Sequence, residues 1–325
     1  MRQSFRMYVL KRLIYVAVTI FLIMSFNFLL FRVMPADVTR ILIPKGASNE
    51  TIERLTEFYG LDDPIPVQYV IFLKQTFTGD FGESISFLKG EEVSSVIVTY
   101  TAKTLMLVGI GTALSIFFGV ILGRETAWRR GKMFDRVGSS FFLIFYCMPT
   151  FLFALLILTM VASFSDWPIK GEYSADYQHL DILGKLADRG QHLLLPVFAL
   201  VIETIATFSI ITRSSLIDVL TEEYMVTAVA KGLRGKDILK HHAMPNAMLP
   251  VVTVVAMNVG WILSGAIMIE VIFSYQGLGY LTYRAVLSYD YPLIQVAFML
   301  EAVAVIIANF IADLALFALD PRVKI

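Results

Sequence analysis

Apolar residues fall into six long runs separated by polar stretches, at approximately 13–33, 102–123, 138–164, 193–217, 249–273 and 293–319. Each is near or above the roughly 20 residues that a helix needs to cross a hydrocarbon layer of about 30 Å. The pattern predicts six transmembrane helices, with both termini on one side. Arg2, Arg6, Lys11 and Arg12 precede the first run as they would a secretory signal. That run is longer than a signal core and RVMPAD after it offers no small-residue cleavage site, so it reads as a retained span.

The polar stretches carry their own periodicity. Ser48 or Asn49 caps a helix through Ile52, Leu55 and Phe58, whose spacing makes one apolar face, and Gly60 followed by Pro64 stops it. A second amphipathic segment, roughly Val67 to Phe77, ends at the glycines of GDFGES (Gly79 to Ser84). The predicted organisation is an N-terminal transmembrane helix over 1–33, a structured extracytoplasmic loop subdomain over 34–101, and a five-helix core over 102–325 with a cytoplasmic loop at 218–248. After the fifth run, EVIFSYQGLGYLTYRAVLSYDYPLIQ predicts an interfacial segment. Its five tyrosines suit the headgroup region, and Gly277 and Gly279 allow a tight re-entrant turn. The outer loop of about 28 residues after Phe164 has Trp167-Pro168 at the membrane edge and suggests no chemistry.

Composition agrees with a membrane protein. With 57% hydrophobic and 17% charged residues, a 325-residue chain has too few polar side chains to cover a soluble globule. Lys and Arg number 27, as do Asp and Glu, so net charge argues for no nucleic-acid partner. Their placement sets orientation. The N-terminus, 124–137, 213–248 and the tail after Asp320 hold 16 of the 27 basic residues and are expected to be cytoplasmic. Between Pro35 and Tyr100 acids outnumber bases two to one, which places that loop outside. The single cysteine, Cys147, excludes an internal disulfide and reads as a small buried hydrophobe.

Catalytic chemistry has no foothold. No GxxxxGK[ST] sequence is present, and Gly235-Lys236 is followed by Asp237, so ATP hydrolysis by this chain is not expected. His179, His192, His241 and His242 lack a metal-ligand spacing, and His241 and His242 read as a solvated pair. Catalytic, cofactor and metal residues are therefore expected to be absent. Asn49-Glu50-Thr51 fits a glycosylation acceptor, a tripeptide common by chance. Four acids lie within the runs: Glu203, Glu270, Glu301 and Asp313. Each costs about 2.5–3.5 kcal/mol or more at a bilayer centre unless it faces protein or water.

The most informative stretch is EEYMVTAVAKGLRGKDILKHHAMPNAMLP, Glu222 to Pro250. It predicts two short helices broken at Gly232 and Gly235, with Ala228, Ala230 and Gly232 leaving room for another backbone. Either a partner protein seats this turn in a groove, or it is an ordinary solvated loop.

The stretch resembles the EAA loop of ABC importer membrane subunits, with Glu223, Ala228, Ala230, Gly232, Leu249 and Pro250 in the family's order. YGLDDPIPVQY (Tyr59 to Tyr69), GDFGES, TAVAKGL (Thr227 to Leu233), IEVIFSYQGLG (Ile269 to Gly279) and ALDPRVKI (Ala318 to Ile325) extend the likeness over essentially the whole chain. Together they resemble the first-of-pair permease of the dipeptide, oligopeptide and nickel importers. Pro245 departs from the pattern where many relatives carry a basic residue, so the exit from the second short helix is expected to differ.

The resemblance implies an all-α polytopic membrane protein with the type I ABC importer permease fold and an extra structured outer loop. It implies a multi-pass protein of the cytoplasmic membrane with both termini cytoplasmic. Its expected partners are a second homologous permease, two ATP-binding subunits that carry ATP and Mg, an extracytoplasmic solute-binding protein and membrane lipid. Glu223, Ala228, Ala230, Gly232 and Pro250 would couple to the ATPase, and the chain would form half of a pathway for short peptides. Oligosaccharides and nickel chelates are the alternative cargoes. Glu270 and Asp313 match family acids and imply structural roles. Glu203 and Glu301 do not, which leaves cargo contact or helix-to-helix bonding to Asn258 or Asn309. A stand-alone secondary transporter is the competing class, but its two related halves with broken helices are not evident.

Overall fold

The computed structural model describes residues 5–33, 49–261 and 266–319. The basic start at Arg2, the Ser48 cap, the tail after Asp320 and the Asn258 side chain lie outside the described residues. All regular structure among these residues is helical.

Helix α1 (Phe5–Val33) forms on the first apolar run. The outer-loop pattern folds into α2 (Asn49–Tyr59), which buries Leu55 and Tyr59, and α3 (Ile65–Thr78). Pro64 precedes α3, where its missing N–H has no intrahelical acceptor to lose, and Gly79 closes the helix in left-handed backbone at φ 75°.

Two very long helices form the centre, α4 (Val93–Trp128) and α7 (Ile182–Leu220). At 1.5 Å per residue both exceed about 50 Å, so their ends project beyond a bilayer. Gly111, Ser115, Gly119 and Gly123 recur every fourth residue of α4 and face α7. A Cβ on Gly119 would lie 2.6 Å from the Cβ of Phe208, and one on Gly123 2.6 Å from the Ser209 carbonyl oxygen. Small residues here let two helices approach closely, the packing that replaces a hydrophobic driving force inside lipid.

The run 138–164 is not one straight span. Helix α5 (Met133–Cys147) and helix α6 (Thr150–Phe164) meet at a 102° bend. Pro149 is the cause: it cannot donate a helical hydrogen bond, and it drives Met148 into extended backbone at φ −84°, ψ 127°. Cys147 sits exposed at this break rather than buried as a small core residue, because α5 buries only Asp135 and Phe142 among the described residues and leaves its last turn uncovered.

The chain then runs through α8 (Glu223–Ala230), α9 (Gly235–Ile238) and α10 (Met244–Trp261). Helices α11 (Ile267–Ile272) and α12 (Leu278–Ser288) follow, and α13 (Tyr291–Leu319) ends the described chain. Helix α10 packs between α7 and α13, and α1 rests on α13 through an Arg12–Asp313 ion pair of 2.9 Å. Four helices are long and apolar enough to cross a membrane among the described residues, or five if the bent α5–α6 pair counts as one. The run 249–273 is divided among α10, residues 262–265, which are outside the described set, and α11.

Candidate functional site

The turn between α7 and α10 is built on one hydrophobic cluster. Ala127 of α4, Leu216 of α7, Met225 and Ala228 of α8, Ile238 of α9, and Ala243 and Ala247 join there. Helix α8 therefore buries its inner face: Met225 is only 4% exposed. Its outer side is open, with Val226 69% and Val229 63% exposed one turn apart and Tyr224 exposed at the opposite flank. Valines one turn apart and facing water are apolar surface that a partner would cover.

Helix α8 stops as its glycine demands. Gly232 takes φ 75°, its N–H bonds the Val229 carbonyl at 2.9 Å, and no atom lies within 4 Å of where its Cβ would be. Crowding within this chain is therefore not what calls for glycine; the left-handed backbone is. Gly235 is the first residue of α9 and not a break. The second short helix has no exit either, since it runs on through a π turn, Leu239–Ala243, into α10. Pro245 accounts for this, because it lacks an N–H and its ring presses on the preceding turn, and the wider turn, with Met244 N–H bonded to the Leu239 carbonyl, takes up the strain.

The predicted coupling residues divide by position. Glu223 opens α8 on the exposed side, and Ala230 and Gly232 are exposed at its far end. Ala228 points into the cluster, so it shapes the helix's seat and not its outer surface. Pro250 lies inside α10, in the stretch that leads away from the turn.

At the opposite end of α4 a second construction explains IEVIFSYQGLG. The Glu270 carboxylate is fully buried. Its Oε1 accepts from the Thr104 hydroxyl at 2.6 Å and its Oε2 from the Tyr280 N–H at 2.9 Å, while Leu278 N–H donates to Thr104 Oγ1 at 2.7 Å. Glu270 thus caps the start of α12 and ties it to α4, the structural role its family match implies. A Cβ on Gly277 would fall 2.3 Å from Glu270 Oε1. Gly277 has φ −92°, so it supplies space for the carboxylate and not a left-handed turn; Ser274 and Tyr289 hold the positive φ values here.

Asp290 was not singled out from the sequence, yet it is fully buried and accepts from the Ser84 hydroxyl at 2.5 Å and from the Ser86 and Phe87 N–H groups at 2.9 Å each. It fastens GDFGES to the α12–α13 turn. Its only signal was an acid set among tyrosines, and backbone donors leave no mark in a sequence. Near the α8 end, Arg213 of α7 grips Asp135 of α5 at 2.7 and 3.1 Å. Glu301 accepts from the Thr282 hydroxyl at 3.0 Å, a bond between α13 and α12, and not from Asn309. Glu203 is half-buried on α7. Glu203 lies on α7, which packs on α4, α5, α6, α10 and α11, and Glu301 on α13, which packs on α1, α4, α10 and α12. No cluster of three or more His, Cys, Asp or Glu residues suited to a metal occurs among the described residues.

Two family models cover the chain. Residues 5–108 match the N-terminal model of binding-protein-dependent transport system membrane components, and residues 115–325 match the binding-protein-dependent transport system inner membrane component. The chain belongs to this family. Among relatives of this inner-membrane component, a probable peptide ABC transporter permease of Sinorhizobium fredii is 31% identical, covering 98% of this chain and 99% of its own. The oligopeptide transport system permease AppB of Bacillus subtilis is 32% identical, over 92% and 93%. The glutathione transport system permease GsiC of Salmonella typhimurium is 31% identical, over 98% of each. Among solved structures, the inward-facing MetNI methionine ABC transporter shares the fold at a TM-score of 0.54 and 13% identity, over 69% of this chain and 96% of that one. The protein is a multi-pass membrane permease subunit of an ABC importer.

Proposed function

We infer that this permease subunit forms half of a pathway for short peptides, and that α8 is where a separate ATP-hydrolysing subunit, carrying ATP and Mg, applies force. The observation that carries the reading is a helix with Val226 and Val229 exposed on its outer side and Tyr224 exposed at its flank, while Met225 and Ala228 fix the other side. Two residues separate α8 from α7, four separate it from α9, and the π turn joins α9 to α10 with no break. A push on α8 is therefore delivered directly to helices that run the length of the core. Glu223 adds charge at the open start of α8, and Ala230 and Gly232 keep its far end low for a docking cleft. The remaining partners in this reading are a second homologous permease and an extracytoplasmic binding protein that delivers cargo to the end bearing α2 and α3. Both termini and the α8 turn then face the cytoplasm, as the basic residues suggest. Peptide cargo rests on the peptide, oligopeptide and glutathione systems named for the relatives. ATP closure works as a population shift, favouring one permease state by differential contact with α8.

Uptake of a labelled tripeptide and cargo-stimulated ATP hydrolysis by the complete system test this. In Gly232→Leu the bulky side chain sits at a left-handed position and in the docking space, so both activities should fall together by roughly tenfold or more while the binding protein's affinity for the peptide stays unchanged. Gly232→Asn, which tolerates the backbone conformation and is smaller, should retain more of both. Normal uptake by the leucine variant would remove the coupling role. Absence of tripeptide uptake in the unmodified system, with uptake of a nickel chelate or oligosaccharide, would reassign the cargo.

A further inference from the structure

Beside the α8 turn lies a groove of about 860 Å³ that the coupling reading leaves unused. Arg124, Arg129 and Lys132 line one wall, Lys236 and Lys240 the other, with Trp128 between. Among the described residues the only carboxylate in the lining is Glu125, and it is already held by Arg124 at 2.7 Å and Arg129 at 3.3 Å. Among the described residues, Lys132, Lys236 and Lys240 take part in no ion pair. Three unpaired ammonium groups lining one groove repel, and an anion among them relieves the repulsion.

The depth of the groove narrows the choice of anion. Arg124 directly follows the apolar run 102–123, so the groove begins where the membrane-spanning part of α4 ends. Trp128 in the lining is exposed, as are Met133 and Phe134, which directly follow the lining residue Lys132 and extend its rim, and the Arg129 guanidinium lies 4.9 Å over the Phe134 ring. Aromatic and apolar side chains beside clustered Lys and Arg are the chemistry of the headgroup zone. A soluble anion would use the cations and leave that rim in water.

We propose that this groove is a binding site for an anionic phospholipid. Its phosphate sits among Lys132, Lys236 and Lys240, and the upper part of its acyl chains lies on Trp128, Met133 and Phe134. One wall belongs to α4 and the turn after it, and the other to α9 and the π turn that continue from α8. A lipid held there bridges the long central helix to the segment on which α8 is carried. The proposal rests on the membrane-spanning fold and stands apart from the coupling role of α8.

The complete transporter is reconstituted in vesicles of equal parts phosphatidylglycerol and phosphatidylcholine, extracted in mild detergent, and its retained lipid quantified by mass spectrometry. Phosphatidylglycerol should be enriched on the unmodified complex. The triple variant Lys132→Gln, Lys236→Gln, Lys240→Gln should lose that enrichment by roughly tenfold or more, and the triple Lys→Arg variant should keep it. The enrichment on the unmodified complex is informative even if the glutamine variant assembles poorly. Equal retention of the two lipids, or enrichment unchanged in the glutamine variant, overturns the proposal. Inorganic phosphate that binds the delipidated complex as tightly as phosphatidylglycerol binds would assign the groove to a soluble anion. Loss of the ATP-binding subunits from the glutamine variant with its phosphatidylglycerol intact would assign it to a protein contact.

Discussion

A carboxylate within a transmembrane helix needs a donor, and the four acids of the apolar runs are answered differently. Glu270 has Thr104 and the Tyr280 N–H, Asp313 has Arg12, and Glu301 has Thr282. Glu203 takes part in no hydrogen bond or ion pair among the described residues. Of the two acids for which the sequence left cargo contact open, Glu203 is therefore the one we propose for it. Glu203→Gln removes a charge that a peptide amino terminus would meet, and should lower apparent cargo affinity by roughly 10- to 100-fold, the weight of about 1.5–3 kcal/mol for a charged hydrogen bond. Glu301→Gln keeps an acceptor for Thr282 and should transport normally. Uptake measured beside pull-down of the partner subunits separates the two, and unaltered uptake in Glu203→Gln rejects the cargo contact. These acids were legible in the sequence because an acid in an apolar run is costly. Their partners were not: Thr104 lies 166 residues from Glu270, and a threonine in an apolar run announces nothing.

Helices hold one another here by contacts of two kinds, and only one shows in a hydropathy pattern. The short helices of the α8 turn and of the outer loop were readable because Gly60, Gly79 and Gly232 mark their ends with left-handed backbone. The α4–α7 strip was hidden, since glycines every fourth residue inside an apolar run do not interrupt it. The α5–α6 bend was hidden as well, because a window that sums hydropathy records no change of direction at Pro149. Helix α5 packs on α7 and is tied to it by an ion pair, in which Asp135 takes Arg213 and also the Gly131 N–H at 2.9 Å and the Ser139 hydroxyl at 3.1 Å. Arg213→Ala strands a buried carboxylate and should destabilise the subunit by about 3–5 kcal/mol, seen as a lowered unfolding temperature of the purified complex. Adding Asp135→Asn removes the stranded charge and should recover part of the loss. A double variant no more stable than Arg213→Ala would show that the pair is not what fixes α5.

As a whole, the subunit has two unlike ends and apolar sides it cannot cover alone. Phe26 on α1, Ile144 on α5 and Phe164 on α6 are exposed, as surfaces meant for lipid or a second subunit must be. One end carries α2, α3, the Asp290 anchor and the Glu270 cap; the other carries the α8 turn, the Arg213–Asp135 pair and the basic groove. The long α4 connects them, with Val93 in the packing of the first end and Ala127 in that of the second. The orientation proposed for these ends makes a direct prediction. In a Cys147→Ser background, which removes the chain's single and exposed thiol, a cysteine replacing Lys89 should react with an impermeant thiol reagent in intact cells. One replacing Arg130 should react only after the membrane is opened. Both positions are exposed on this subunit, so failure to react in intact cells is a matter of side and not of burial. Labelling at Arg130 from outside would invert the subunit, placing the α8 turn and the lysines of the groove on the face where the binding protein is proposed to deliver cargo, and the coupling reading would fall with it.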